Sequence, residues 1–375
     1  MISILCPPRF GTMAETGRVC PYDKGDQCVM RKKIAVLFGG CSPEYSVSLQ
    51  SAYAVLTHMD RNQYEPVPVG ISPKGEWFLY TGDLDRIPED RWLHEDACVP
   101  VTAALGGGSA LLLLGESGAE TFHIDAAFPV LHGRNGEDGT VQGLLTLAGI
   151  PAVGCGVLAS ALCMDKDRAH RLVRDAGVEV PRSFVFQTGE EDEAIRQAEE
   201  LGFPLFVKPV GAGSSYGITR VEKRDQLPNA VRLAFQYDGQ ILVEACIPGF
   251  EVGCAVMGNQ VLTVGEPDEI ELSQGFFDFN EKYTLQTSAI HVPARITAEE
   301  TRRIKETAQT VYRVLGCSGF ARVDVFLEPG GRIVFNEVNT IPGFTAHSRF
   351  PNMMKAAGVS FEDVISRAIA LAVEG

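Results

Sequence analysis

The 375-residue sequence predicts an α/β domain on a parallel sheet, followed by two α+β blocks. Three observations predict it. Near the start, an apolar strand at Ile34–Phe38 meets Gly39-Gly40, then a helix over about Ser46–Met59 and a strand at Tyr64–Ile71. Strand, glycine turn, helix, strand is how a parallel sheet opens. Past Pro151–Gly154 the character shifts to short strands and charged helices. Near the end, β-branched and apolar runs flank Pro329-Gly330-Gly331, which reads as a hairpin.

The remaining elements follow in order. Ala110–Leu114 reads as a buried strand. A strand at Ile124–Leu131 runs into His132-Gly-Arg-Asn-Gly-Glu-Asp-Gly139 and a helix over Thr140–Ala148. Helical patterns at Val157–Met164 and Lys166–Ala176 stop at Gly177. Strands are expected at Ser183–Phe186, Leu205–Val207 and Ile218–Val221, and helices at Ala298–Leu315 and Phe361–Val373. The domains read as 31–153, 154–244 and 245–375. Residues 1–30 read as a disordered arm or a misassigned start, because the globular pattern begins at Lys32 and nothing there resembles a secretory signal.

The net charge of −15 disfavours nucleic acid and anionic membrane as partners, since both need a basic footprint. No apolar run is long enough to span a bilayer. Ten scattered cysteines, with no C-x-x-C pair, read as reduced core residues of a cytoplasmic protein.

The hairpin carries the most chemistry. If it closes on Gly330-Gly331, Asp324 lies opposite Glu337 and Arg322 opposite Asn339, and all four share one face. Two carboxylates and a carboxamide about 5 Å apart suit a hard cation such as Mg²⁺ bridging phosphates. The arginine suits a phosphoryl group gaining charge. The plain alternative is a wet polar stripe, which leaves two opposed acids repelling each other.

The other candidates stand against their plain readings. Lys208 to Gly217 is a glycine-serine loop whose N–H groups suit an anion, or else a simple turn; it is neither a Walker A loop nor a dinucleotide fingerprint. Glu244 and Glu251 suit ribose hydroxyls, and Ala245 to Ile247 an adenine edge, or the two acids are merely exposed. Glu271–Ile290 reads as a lid, or as a connector carrying three phenylalanines that are costly to expose. His132 lies at a strand end, on the ligand side of a parallel sheet, or is structural.

In their order, these motifs resemble the D-alanine–D-alanine ligase family of the ATP-grasp superfamily, over about residues 32 to 375. Gly39–Glu44 and His132–Gly139 look like its two substrate loops. Met164-Asp165-Lys166 and Lys208–Ser215 look like its phosphate elements, and Asn336–Arg349 like its metal and second-substrate signature. The resemblance implies a Rossmann-like pre-ATP-grasp domain ahead of a two-domain ATP-grasp fold. It implies ATP and two Mg²⁺ ions, with Mn²⁺ as a substitute, and a homodimer. It also implies roles. Glu44 holds the first D-alanine's ammonium and His132 lies near its carboxylate. Lys166, Lys208 and Lys282 meet ATP phosphates, together with Ser214 and Ser215, and Ser214 joins Glu44 to Tyr283. Glu244, Ala245, Ile247 and Glu251 hold the adenosine. Asp324, Glu337 and Asn339 bind the metals, and Arg322 stabilises the acyl phosphate. Gly343 and Ser348 meet the second substrate.

Two departures bear on specificity. Ser46 stands where the family often has a second acid, and Arg349 where housekeeping D-alanine ligases have an apolar residue. Arg349 and the Glu281–Leu285 lid resemble the D-alanine–D-serine branch of the vancomycin-resistance ligases, and Lys282-Tyr283 counts against the D-lactate branch. D-serine is therefore expected as second substrate, with D-alanine as the alternative. Another ATP-grasp ligase or a non-catalytic nucleotide module are more remote readings.

Overall fold

The computed structural model describes residues 31–374 apart from 117, 212, 214–215 and 273–287. The first sheet is built from β1 (Lys32–Gly39), β2 (Tyr64–Ile71), β3 (Trp77–Tyr80), β4 (Cys98–Ala103), β5 (Ala110–Gly115), β6 (Gly118–His123) and β7 (Ala126–Pro129), with α1 (Tyr45–His58) between the first two. Its order is β6-β5-β4-β3-β2-β1-β7. Only β2, β1 and β7 run parallel; β3 to β6 extend the sheet antiparallel. The sequence reading had only β5 among those four. The reason is visible in β6, which is mostly exposed and carries no apolar alternation.

The middle of the chain supplies α2 (Thr140–Leu147), α3 (Val157–Met164) and α4 (Lys166–Asp175). A four-stranded antiparallel sheet follows, in the order β10-β9-β11-β8. Its parts are β8 (Ser183–Gln187), α5 (Glu191–Ala198), β9 (Leu205–Pro209), β10 (Thr219–Val221), α6 (Leu227–Ala234) and β11 (Gln240–Ala245). The third sheet holds β12 (Phe250–Met257), β13 (Thr263–Val264), β14 (Asp268–Leu272), β15 (Ser288–His291), β16 (Phe320–Leu327) and β17 (Ile333–Asn339). Helices α7 (Ala298–Val314), α8 (Arg349–Ala356) and α9 (Phe361–Val373) complete the described residues. A capping box between Thr297 and Glu300 starts α7.

Alternation splits the third sheet into two faces. Val252, Cys254 and Val256 of β12 and Ala321, Val323 and Val325 of β16 enter a core with α7, α3 and α4. Ala255, Met257 and Phe320 point the other way, into a core shared by α1, β1, β7, α8 and α9. The first and last segments of the chain are thus packed together. Phe344, Phe350 and Phe128 sit at that junction, with Phe344 5.4 Å from Phe128 and 5.9 Å from Phe350 between ring centres. Each such burial is worth roughly 1.5–3 kcal/mol.

The β16–β17 hairpin does not close as the sequence suggests. Glu328 N–H donates to Arg332 O at 2.9 Å, so the loop is the three residues Pro329, Gly330 and Gly331. That is one residue longer than a two-residue turn on Gly330-Gly331. Gly330 and Gly331 take φ of +102° and +83°, where a side chain is strained. The register then shifts between Asp324 and Val325, where Asn336 is an extra, bulged residue. The two deviations cancel. Asp324 pairs with Glu337 and Arg322 with Asn339, while Phe335 pairs with Val325. The bulge lets Phe335 and Val338 both stay in the core while Glu337 and Asn339 keep the face of Asp324.

Among the described residues, seven cysteines are free thiols. No described helix is long and apolar enough to cross a membrane.

Candidate active site

Three motifs distant in sequence meet at Glu44. This buried residue precedes α1. A Cβ on Gly133, in the second loop, would lie 2.7 Å from Glu44 Oε2, and one on Gly213, in the Gly-Ser loop, 3.6 Å away. Glycine at both positions lets the loops close on the carboxylate. A cavity of about 40 Å³ lies here, lined by Glu44, Glu137, Lys166, Gly213, Glu337 and Asn339 among others. His132 is buried at the edge of a second cavity of about 280 Å³, and its Nδ1 donates to Ile341 O at 3.0 Å. Gly343 packs on Ser348, where a Cβ would lie 3.0 Å from Oγ. Ser348 Oγ accepts from Thr345 N–H at 3.0 Å.

The hairpin side chains form a hydrogen-bonded network. Asp324 is 1% exposed and is held by Arg322, whose Nε lies 2.8 Å from Oδ1 and whose Nη2 lies 2.7 Å from Oδ2. Asn339 Nδ2 donates to Asp324 Oδ2 at 2.9 Å. Asp324 is thus an anchor for its neighbours. Glu337 and Asn339 line the cavity, and with Nδ2 donated to Asp324 the Asn339 amide has Oδ1 as its remaining acceptor. One carboxylate and one carbonyl oxygen, with phosphates and water completing the shell, fit Mg²⁺, which takes few protein ligands. Arg322 is buried; burial pulls its pKa down, but the charge and hydrogen bonds of Asp324, together with the Asp268 charge, raise it. Its Nε and Nη2 are committed, and Nη1 has no acceptor among the described residues.

Arg349 is an anchored cation. Its Nε and Nη2 each lie 2.7 Å from the Asp268 carboxylate, and Nη1 lies 2.8 Å from Glu251 Oε1. Nη2 also lies 3.4 Å from Asp324 Oδ1. Glu251 therefore faces this charge cluster. Burial pushes its carboxyl pKa up, against the pull of Arg349 and with the push of Asp324.

In the second sheet, Lys208 of β9 and Glu244 of β11 form a buried ion pair. Glu244 Oε2 has no hydrogen-bond partner among the described residues. A buried acceptor without a donor suits the amino group of a base. The N–H groups of Ala245 and Cys246 are taken by Arg182 O and Pro204 O at 2.9 and 3.3 Å, while Ile247 N–H has no backbone acceptor among the described residues. Lys166 is buried at the start of α4, capped by Asp165, and its N–H reaches Val210 O at 3.3 Å. Ser214, Ser215, Lys282 and Tyr283 lie outside the described residues.

The ordered meeting of these motifs has a counterpart in known proteins. The family model described as D-ala D-ala ligase N-terminus matches residues 33–155, and the D-ala D-ala ligase C-terminus model matches residues 172–370. The chain belongs to the D-alanine–D-alanine ligase family. It is 46% identical to the vancomycin C-type resistance protein VanC1 of Enterococcus gallinarum, over 92% of this chain and 99% of that protein. It is 42% identical to the D-alanine–D-alanine ligase of Caldicellulosiruptor bescii, over 91% and 95%. Among solved structures, the VanG D-Ala:D-Ser ligase of Enterococcus faecalis matches with a TM-score of 0.85 and 53% identity, covering 92% of this chain and 100% of that one. The fold of this D-alanine–D-alanine ligase family member is therefore a Rossmann-like domain ahead of an ATP-grasp pair.

The sequence reading of this D-alanine–D-alanine ligase family site missed four residues. Glu137 accepts from Gly133 N–H at 2.8 Å and Ile341 N–H at 3.2 Å, pinning the second loop to the segment after β17. Its signal was an acid inside a glycine-rich loop. Asp268 and Gly253 frame Arg349: a Cβ on Gly253 would collide with Arg349 Nη2 and Asp268 Oδ1. His170 bonds the bulge, as developed below. For Asp268, Gly253 and His170 no local pattern carried the signal, because their partners are far along the chain.

Proposed function

We propose that this chain is an ATP-dependent ligase that joins D-alanine to a second D-amino acid, D-serine, through an acyl phosphate. The observation that carries the reading is the single cavity lined by Glu44, Lys166, Glu337 and Asn339. A substrate-ammonium acid, a phosphate lysine and two cation ligands there are within one small molecule's reach of each other.

The chemistry runs in two steps. A carboxylate oxygen of the first D-alanine attacks the γ-phosphorus of ATP, an O–P bond forms, and the bond to ADP breaks. The amine of the second substrate then attacks the acyl carbon, loses a proton, and phosphate leaves. Glu44 holds the first substrate's ammonium. Lys166 neutralises phosphate charge, and Lys208, paired with Glu244, adds a second cation. Glu337 and Asn339 Oδ1 would hold Mg²⁺, which would supply neutralisation of phosphate charge. Arg322 keeps Nη1 for the developing oxyanion, in a setting where donors need no reorganisation. Expelling water protects the acyl phosphate, a role proposed for the segment containing Lys282 and Tyr283. The reaction places the protein in the cytoplasm, where ATP is available.

D-serine is favoured over D-alanine for two reasons. A guanidinium has five N–H donors, and the Asp268 and Glu251 bonds leave one on Nη1 for a substrate hydroxyl. The 53% identical solved structure is described as a D-Ala:D-Ser ligase. Phosphate release, with mass-spectrometric identification of the dipeptide, tests this. Turnover with D-alanine plus D-serine should exceed turnover with D-alanine alone. Equal coupling would return the chain to the D-alanine reading, and no ATP turnover with either would remove the ligase reading.

A further inference from the structure

His170 lies outside every motif used above. It sits on α4 one turn after Lys166 and is buried. Its Nε2 lies 2.8 Å from Asn336 O. A carbonyl only accepts, so Nε2 carries the proton and donates. Asn336 is the bulged residue of β17. A bulge takes peptide groups out of the ladder, and buried ones need other partners. Here His170 takes the Asn336 carbonyl, and Glu179 O takes the Phe335 N–H at 2.8 Å. The imidazole also stands edge-on to Phe335, 5.6 Å between ring centres at 74°. The charges that act on it belong to the nucleotide side: Glu244, Lys208 and Lys166. One side chain thus ties the helix of Lys166 to the irregularity that turns Glu337 and Asn339 to the cavity.

We propose that His170 is a positioning residue: it holds the β17 bulge, and through it sets how Glu337 and Asn339 receive a nucleotide-bound divalent cation. This rests on the ligase reading of the hairpin. Groups behind a metal site that orient its ligands typically contribute about 10- to 100-fold in affinity. The bulge, offsetting the three-residue loop, sets the direction of Glu337 and Asn339, because a regular strand would put Phe335 on the face of Glu337.

The test is Mn²⁺ binding followed by electron paramagnetic resonance, with a non-hydrolysable ATP analogue present. The wild type is compared with H170Q, H170N and H170M. Glutamine reaches the Asn336 carbonyl with an amide N–H; asparagine falls a methylene short; methionine fills the space without a donor. The expected result is Mn²⁺ binding weaker by about 10- to 100-fold in H170N and H170M, and near wild type in H170Q. Thermal melts without ligand separate folding from positioning, since a merely structural role would lower the midpoint and leave the folded fraction's affinity intact. Unchanged affinity in H170N and H170M, or an H170Q as weak as they are, overturns the inference while the ligase reading stands. A wild type that binds neither analogue nor Mn²⁺ overturns both.

Discussion

Asp324 is where the charges of the site converge, and its isolation from solvent explains why. A lone buried carboxylate is costly, and two guanidiniums and an amide offset that cost. Its neighbours are held in place as a result. Glu337 lines the cavity, so Glu337→Gln is expected to reduce turnover roughly 100-fold or more with the melting midpoint unchanged. A steady-state assay beside a thermal melt checks both halves. Arg349→Leu has two expected consequences. The D-serine to D-alanine product ratio should fall towards D-alanine, measured by competition and mass spectrometry. Stability should also drop by about 3–5 kcal/mol in urea, because the fully buried Asp268 loses its bidentate partner. An unchanged product ratio in the surviving folded enzyme would discredit Arg349 as the hydroxyl reader.

At the scale of elements, the hairpin shows how two local irregularities place a site. The Pro-Gly-Gly loop was legible as a turn, since its residues demand one. Its length was not, because two- and three-residue loops share that composition. The bulge at Asn336 was not legible either, since it answers the need to keep Phe335 in the core. The loop and the bulge are separable. A Cβ on Gly331 meets nothing closer than 3.6 Å, so Gly331→Ala adds only the strain of its positive φ. It should cost about 1–2 kcal/mol in urea unfolding and leave the KM for ATP alone, because the bulge fixes Glu337. A large rise in that KM would show that the turn also sets the register. Helices with caps and period, such as α7 and α9, could be read in advance; α8 was missed because Arg349–Ala356 is short and carries Pro351.

For the whole molecule, stability should carry the imprint of His170. Burial lowers its pKa below the ordinary 6.5, so the native state holds it neutral while the unfolded chain takes up a proton. Protons bound only by the unfolded state favour unfolding, so stability falls as pH drops from about 6.5 towards the folded value. Urea midpoints at pH 7.5 and 5.5 should differ more for the wild type than for His170→Gln, and equal differences would refute the assignment. The sequence by itself determined the parallel opening and the order of the motifs, because period and turn chemistry are local; the shared face of Asp324 and Glu337 holds because the longer loop and the bulge offset each other. Tertiary structure alone decided that Asp324 is an anchor, that Arg349 is bound by Asp268 and Glu251, and that Glu44 meets Gly213. Those contacts join residues up to 169 positions apart, from Glu44 to Gly213. Packing of β1, β7 and α1 against α8 and α9, through Phe128, Phe344 and Phe350, joins the elements that carry the early loops to those that follow the hairpin.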